Sequence, residues 1–301
     1  MRTITIGTTF SLDVGASTVG FLRLRPSDHL PSYDRLDARQ GDGIVETVVL
    51  DDVGVYDVGA HAAGAHALSS MGLGQRMDRL VVPPGRTTIE YAATVEVDDE
   101  PDVMPEFASA PDPATLTPSQ WWWVQPSRYC RPDELGAEAW ATFGSEIQPG
   151  RPATGGTVRR ICAHVNEQMQ FAYGSTSAET GAGEAWRQRT GVCRDFNHIA
   201  VSFCRALNIP ARYVFGYMPD VDVIPNGALM DFCAWFEVLL DGRWWTFDAR
   251  VNERRVGRIP VARGRDAADV PLISTLGHVD LSDFAVHAEE LVAPSLVGAA
   301  C

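Results

Sequence analysis

The sequence predicts an α+β fold in two parts, and three observations carry the prediction. The first hundred residues are rich in β-branched runs in which apolar and polar side chains partly alternate. Two later stretches, 157–169 and 196–207, repeat apolar residues at three- and four-residue spacing. Between Asp231 and Asp248 lie two further strand-like runs joined by Asp241-Gly242, a strong two-residue hairpin signal. The expected layout is an N-terminal β-sandwich-like domain over 1–100, a linker over 101–118 and an α+β core domain over 119–301.

The bulk properties narrow the possible functions. With 45% hydrophobic and 21% charged residues, the composition is that of an ordinary soluble globular chain. A net charge of −14 argues against nucleic acid or an anionic membrane surface as the main partner, although Arg250, Arg254, Arg255, Arg258, Arg263 and Arg265 could form a local basic patch. All 25 basic residues are arginine, so no lysine amine is available as a base or Schiff-base former. The first ten residues show no apolar signal-peptide core, and no stretch approaches the roughly 18 apolar residues of a membrane span. Cysteines at 130, 162, 193, 204, 233 and 301 have no CxxC spacing and are expected to be thiols of a cytoplasmic protein.

Taken in order, the runs 18–25, 43–50 and 87–97 read as strands, and Pro83-Pro84-Gly85 as a turn. Residues 51–66 are rich in Gly and Ala and read as a loop. His61 and His66, with Asp51, Asp52 and Asp57, could be taken for metal ligands, but five-residue spacing does not put two histidines on one helix face. The acidic, proline-rich 101–118 reads as an extended connection. Trp121, Trp122 and Trp123 follow and are expected in packing, with a substrate groove as the alternative. In 157–169, Val158, Ile161, Cys162, Val165 and Met169 form one apolar stripe, and His164 falls off it towards solvent.

Phe196, Ile199, Ala200, Phe203, Cys204 and Leu207 define a buried helix that ends near Asn208-Ile209-Pro210. Cys193 falls at its start, where free N–H groups and the helix dipole favour a thiolate and could hold an oxyanion, so it is the nucleophile candidate. Cys204 shares the apolar stripe and is a packing residue. With Asp241-Gly242 as the loop, Leu240 faces Arg243, Trp235 faces Asp248 and Cys233 faces Arg250. Cys233, Trp235 and Glu237 then share a face, with Cys233 and Asp248 about 7–8 Å apart on a diagonal, too far for a cysteine side chain to span.

Gly-Val-Cys-Arg-Asp-Phe-Asn-His (191–198), Ile-Pro-Ala-Arg-Tyr-Val-Phe-Gly-Tyr (209–217), Asp-Phe-Cys-Ala-Trp-Phe-Glu-Val (231–238) and Trp-Thr-Phe-Asp (245–248) together resemble motifs of the transglutaminase-like superfamily, in its bacterial transglutaminase-like cysteine peptidase form. Pro-Ser-Arg-Tyr-Cys (126–130) and Gly-Arg-Asp-Ala-Ala-Asp-Val (264–270) also look like that family, and the β-rich first hundred residues resemble its N-terminal domain. The resemblance implies a papain-like, transglutaminase-like α+β core, with Cys193 as nucleophile and Asp248 as orienting acid. Where the family keeps its general-base histidine, this chain has Cys233. The same motifs offer Trp235, Asp195 and His198 as substrate-binding candidates, His198 also reading as a structural residue.

Three functional readings follow from that departure. In the first, Cys193 still forms an acyl-enzyme in acyl transfer or in cleavage of an amide or thioester, within a Cys193–Cys233–Asp248 triad and without a cofactor. The substrate would be a peptide or a small acyl or amide compound, free or carrier-bound. In the second, the thiolate pair with Asp248 holds one zinc or iron ion, His278 being a distant fourth ligand, or Cys193 and Cys233 form a redox disulfide. In the third, the old groove is a non-catalytic scaffold that binds a peptide or protein partner.

Overall fold

A computed structural model describes residues 1–28, 31–45, 47–50, 75–148, 150–224 and 229–291. Its strands and helices run β1 (Arg2–Val14), β2 (Thr18–Leu22), β3 (Tyr33–Gln40), β4 (Gly43–Ile44), β5 (Thr47–Leu50), β6 (Met77–Val82), β7 (Gly85–Val97), α1 (Pro118–Trp121), α2 (Pro132–Phe143), α3 (Gly155–Gln168), β8 (Gln170–Phe171), α4 (Ala182–Gln188), β9 (Thr190–Gly191), α5 (Cys193–Ala206), β10 (Ala211–Tyr217), β11 (Cys233–Leu240), β12 (Arg243–Phe247), β13 (Ile259–Gly264), β14 (Ile273–Thr275) and β15 (Asp280–Glu290). Helix and sheet are mixed, as an α+β fold requires. The candidate ligands His61, His66, Asp51, Asp52 and Asp57 lie outside the described residues, as do Cys301 and residues 225–228.

The N-terminal strands alternate because one face of each is buried. In β7, Thr87, Ile89, Tyr91, Ala93, Val95 and Val97 are buried while their neighbours face outwards. Two sheets result, in the orders β15-β1-β7-β3-β4 and β14-β2-β6-β5. Their inner faces share one core, in which Ile4, Ile6, Phe10 and Ile89 meet Leu22, Leu80 and Val82. The run expected as one strand over 43–50 is split between the sheets, β4 pairing with β3 and β5 with β6.

The C-terminal segment departs from the expected division. β14 pairs with β2, and β15 runs along β1 from Ile4↔Glu290 to Asp13↔Asp280, so the described chain beyond Pro271 closes the N-terminal sheets instead of extending the core domain. Pairing with β7 alone would leave the other edge of the 13-residue β1 open, and β15 covers it. Nothing in the hydrophobic pattern of residues 280–290 says where that strand goes.

In the core domain, an antiparallel sheet of order β12-β11-β10-β13 carries α5 on one face. Helix α5 is buried because its apolar residues recur every three to four positions: Phe196, Ile199, Ala200, Phe203 and Cys204 are each at most 2% exposed. The stripe predicted in α3 is likewise buried in the same cluster. The hairpin register is as expected from Leu240↔Arg243 to Phe236↔Phe247, but the ladder stops there. Asp241 and Gly242 both have positive φ, as a tight turn of this kind demands.

The two domains are not joined by a loose tether. Tyr213, Tyr217, Ile259 and Val261 of the core sheet belong to the same apolar cluster as the sandwich. Buried Glu237 on β11 accepts from Arg212 and Arg263, and Arg263 also donates to Asp28 of the first domain at 2.7 Å. Within the expected linker, Asp102 exchanges backbone and side-chain hydrogen bonds with Arg255 and Arg258. The arginines at 254, 255, 258, 263 and 265 are therefore spent on carbonyls and carboxylates and form no free basic patch.

Candidate active site

Helix α5 begins at Cys193 because the residues before it are shaped to stop an extended strand. Val192 is extended, and the Asp195 carboxylate at the third helical position accepts the Val192 N–H at 2.9 Å and the Thr176 hydroxyl at 2.6 Å. A Cβ at Gly191 would lie 2.7 Å from the Cβ of Asp195, so that position needs glycine. Asp195 is 1% exposed and pairs with Arg194. It caps the helix and does not line the cleft, where a substrate-binding role had been expected.

Cys193, Cys233 and Asp248 line one cleft of about 630 Å³. Phe171, Tyr173, Asp231 and Arg250 are further parts of its wall. The spatial grouping expected for the three candidates is thus present. The protonation expected for Cys193 is not. Burial pushes its thiol up to about 11, Asp248 and Asp231 add to the rise, and the backbone N–H groups of Ala234 and Arg194 offset only part of it. The helix terminus does act on the sulfur, but desolvation wins. Burial, with Cys193 and Asp248 nearby, also holds Cys233 well above the ordinary thiol range. Both are free thiols, and Cys233 Sγ donates to the Asp231 carbonyl at 3.8 Å, not to Asp248.

Asp248 is the most heavily engaged group of the site. Its Oδ1 accepts the N–H groups of Arg250 at 2.8 Å and Val251 at 3.1 Å, turning the chain out of β12. That turn is why the ladder ends at Phe247 and Cys233 does not pair with Arg250. Its Oδ2 accepts from Arg258 at 3.0 Å, and Arg258 Nε donates to Asp102 at 2.7 Å. Burial works against the Arg258 charge, but the two carboxylates more than offset it and hold the guanidinium above its ordinary value. Arg258 also lies over the Trp235 ring at 5.2 Å. Trp235, a substrate-binding candidate, is 1% exposed and does not line the cleft, and a Cβ at Gly216 would reach its ring at 2.8 Å, so it packs within the sheet.

Asn197 is a site residue the motif reading passed over as a variable position. It is fully buried, and its Nδ2 donates to the carbonyls of Cys193 and Ala234, both at 2.9 Å, while its Oδ1 accepts the Ala249 N–H at 3.0 Å. One side chain thus ties the helix that begins at Cys193, the strand bearing Cys233 and the turn that bears Asp248. Its spacing of four from Cys193 was the available signal, since it places both on one helix face. Arg258 carried no such signal.

None of the four described histidines lines the cleft. His198 is fully buried, stacked on Tyr129 at 5.4 Å and tilted against Tyr213 at 4.8 Å. Its Nε2 accepts the Ala267 N–H at 3.1 Å, which assigns a neutral ring with the proton on Nδ1, and burial holds it below its ordinary value against the pull of Asp266. It is structural. His164, expected in solvent, sits half-buried among Phe143, Trp186 and Phe203 because α2, α4 and α5 close over that side of α3. His278 is 89% exposed beside Asp280 and does not reach the thiols. Of the three tryptophans expected in packing, Trp123 packs edge-on against Trp244 and Arg265 lies over Trp122, whereas Trp121 is 52% exposed.

Among the described residues, no three His, Cys, Asp or Glu side chains stand close enough to hold a metal. The set of Cys193, Cys233 and Asp248 lacks a free carboxylate, because both Asp248 oxygens already accept hydrogen bonds. Also among the described residues, no helix is long and apolar enough to cross a membrane.

A cysteine opening a buried helix against an antiparallel sheet, with a carboxylate at the end of the neighbouring hairpin, is the framework of a thiol-enzyme core. Residues 141–249 match the transglutaminase-like superfamily, so this part of the chain carries a transglutaminase-like domain. A solved structure of a candidate cysteine protease from Cytophaga hutchinsonii is 27% identical and superposes with a TM-score of 0.75, covering 97% of this chain and 91% of that one. Both domains are therefore shared. An uncharacterized protein of Mycobacterium tuberculosis is 33% identical over 132 residues, 41% of this chain and 42% of that protein. One from Mycobacterium leprae is 32% identical over 107 residues, 34% of this chain and 38% of that protein. The matches thus span about two-fifths of these relatives' own length.

Proposed function

We propose that this protein is a transglutaminase-like thiol enzyme that transfers or hydrolyses activated acyl groups, with Cys193 as nucleophile and a thioester as the substrate best suited to the site. The observation that carries this reading is the position of Cys193, first residue of α5 and half-buried in the wall of a substrate-sized cleft. Its proton passes to solvent, because no described histidine lines the cleft. The Sγ then attacks the acyl carbonyl carbon, and helix N–H groups stabilise the oxyanion. Collapse expels the substrate's thiolate, which takes a proton from water. Water or an amine attacks the acyl-enzyme next and returns the Cys193 thiol. An amide would need a proton delivered to its leaving nitrogen, and a thioester does not. A reducing compartment such as the cytoplasm is the setting this chemistry suits, since all five described cysteines are free thiols.

The test is incubation with an N-acetylcysteamine thioester and a matched anilide between pH 7 and 9. Because the Cys193 thiol is pushed up to about 11, the thiolate fraction and the turnover of thioester should rise about tenfold per pH unit across that range. Mass spectrometry should find the acyl group on Cys193, Cys193→Ser should abolish turnover, and the anilide should stay intact. Absence of an acyl adduct up to pH 10 ends this reading. One observation favours a second, a non-catalytic cleft for an acyl or peptide partner: Asp248 is wholly engaged by Arg250, Val251 and Arg258. Tight binding of an acyl peptide without any adduct would support it.

A further inference from the structure

Of the two arginines lining the cleft, Arg255 is paired with Asp220 at 3.2 Å. Arg250 has no carboxylate within ion-pair distance among the described residues, in a chain with 39 acidic and 25 basic side chains. Its backbone is pinned from both sides: its N–H donates to Asp248, and its carbonyl accepts from Asn166 Nδ2 at 2.8 Å. Its guanidinium lies over the Phe171 ring at 4.5 Å, and Phe171 is braced edge-on by Tyr173 at 4.9 Å. A cation stacked on an aromatic face keeps its in-plane N–H donors available, in the forked geometry that matches a planar oxyanion. A rigid, uncompensated arginine of this kind in a concave site marks a place for a ligand's negative charge.

We infer that Arg250 is a binding residue for a carboxylate carried by the acyl substrate, away from the carbonyl that Cys193 attacks. This rests on the acyl-enzyme reading above. Asp220, Asp231, Asp248 and Glu253 line the same cleft, so a single negative charge on the ligand is better tolerated than a phosphate dianion. The apolar remainder of the acyl chain has Phe171, Tyr173 and Met230 of the cleft wall to lie against. The substrate class is therefore a dicarboxylic acid linked through one of its carboxyl groups, or an acyl group bearing a free terminal carboxylate.

Two measurements on the full chain separate this inference from the catalytic reading. The first is the rate of Cys193 labelling by iodoacetamide at pH 9 in the presence of glutaramate, the singly charged monoamide of glutaric acid, or neutral glutaramide. Glutaramate should protect at a concentration about tenfold lower than glutaramide, Arg250→Gln should erase that difference, and Arg250→Lys should keep part of it. Equal protection of wild type and Arg250→Gln, or no protection by glutaramate, overturns the inference. The second compares glutaryl and pentanoyl thioesters of N-acetylcysteamine, where the glutaryl compound should show about tenfold higher kcat/KM, expressed in KM and lost in Arg250→Gln. If neither thioester acylates Cys193 while glutaramate protection still depends on Arg250, the catalytic reading fails and the carboxylate site stands. If both thioesters react equally well in the wild type, the carboxylate site fails and the catalytic reading stands.

Discussion

Asp248 and Cys193 line the same cleft, yet their surroundings are opposites. Around Asp248 every acceptor is met: two backbone N–H groups turn the chain, Arg258 neutralises the charge, and Asp102 backs Arg258 from the segment between the domains. Around Cys193 the helix start is just as firmly held, by Asp195 and Asn197, but the sulfur faces another thiol and two carboxylates, with no described histidine in the cleft wall. The polar contacts that hold the cleft are complete, and no described histidine lines it. The difference teaches that the framework is stabilised by its own buried polar contacts and does not depend on the catalytic imidazole to hold it together.

The harshest way to break this contrast is to empty the Asp248 side. Arg258→Met leaves Asp248 and Asp102 facing a buried apolar group, and chemical denaturation should show a loss of about 3–5 kcal/mol. A loss below about 1 kcal/mol would mean that water replaces the guanidinium. Asn197→Ala removes the tie between α5, β11 and β12 and takes away the side-chain partner of the Ala234 carbonyl and of the buried Ala249 N–H, which should cost roughly 2 kcal/mol by the same measurement. It should also loosen Cys193, read as faster iodoacetamide labelling, an effect a purely global destabiliser would not produce at low denaturant.

The buried imidazole makes a pH-dependent prediction of intermediate size. His198 is neutral in the folded state, with its folded value lowered, so its contribution is fully present above the ordinary histidine value of about 6.5 and is lost as pH falls towards the lower folded value. Denaturation midpoints should therefore drop below pH 6.5, and His198→Phe, which keeps a ring between Tyr129 and Tyr213, should flatten that slope. An unchanged slope would assign the acid sensitivity to carboxylates. The gentlest change sharpens the contrast from the other side. Cys233→His supplies a base beside Cys193, and labelling of Cys193 at pH 7 should rise about tenfold or more, equivalent to about 1.4 kcal/mol. No increase would show that the cleft has diverged beyond that one residue.

Much of this was legible in local pattern. The α3 stripe, the α5 helix with Cys193 at its head, the Asp241-Gly242 turn and the register from Leu240↔Arg243 all follow from periodicities of a few residues, which burial enforces in the folded chain. The motifs around Cys193, Cys233 and Asp248 correctly placed those three on one cleft. Asp195, Trp235 and His198 were legible as family residues but not as to role, because a carboxylate in a first helical turn, an indole or an imidazole reads alike whether it meets a substrate or its own fold. Arg258 and Asp102 were invisible as site residues, since their meeting with Asp248 depends on how the segment between the domains packs against a loop far along the chain.

What the sequence alone determined is which residues form strands and helices, because that depends on spacing along the chain, while the resemblance to the transglutaminase-like superfamily implied that Cys193, Cys233 and Asp248 converge. It also determined that Cys233 stands where a base would. Only the tertiary structure decided that β14 and β15 return to the N-terminal sheets, that Asp248 belongs to Arg258, and that Cys193 is a thiol raised to about 11 instead of a helix-stabilised thiolate. The physical reason is the same in each case. Edge closure, ion pairing and desolvation are set by what surrounds a group in three dimensions, and a thiol's protonation is the balance of a few helix N–H groups against the water that burial removes.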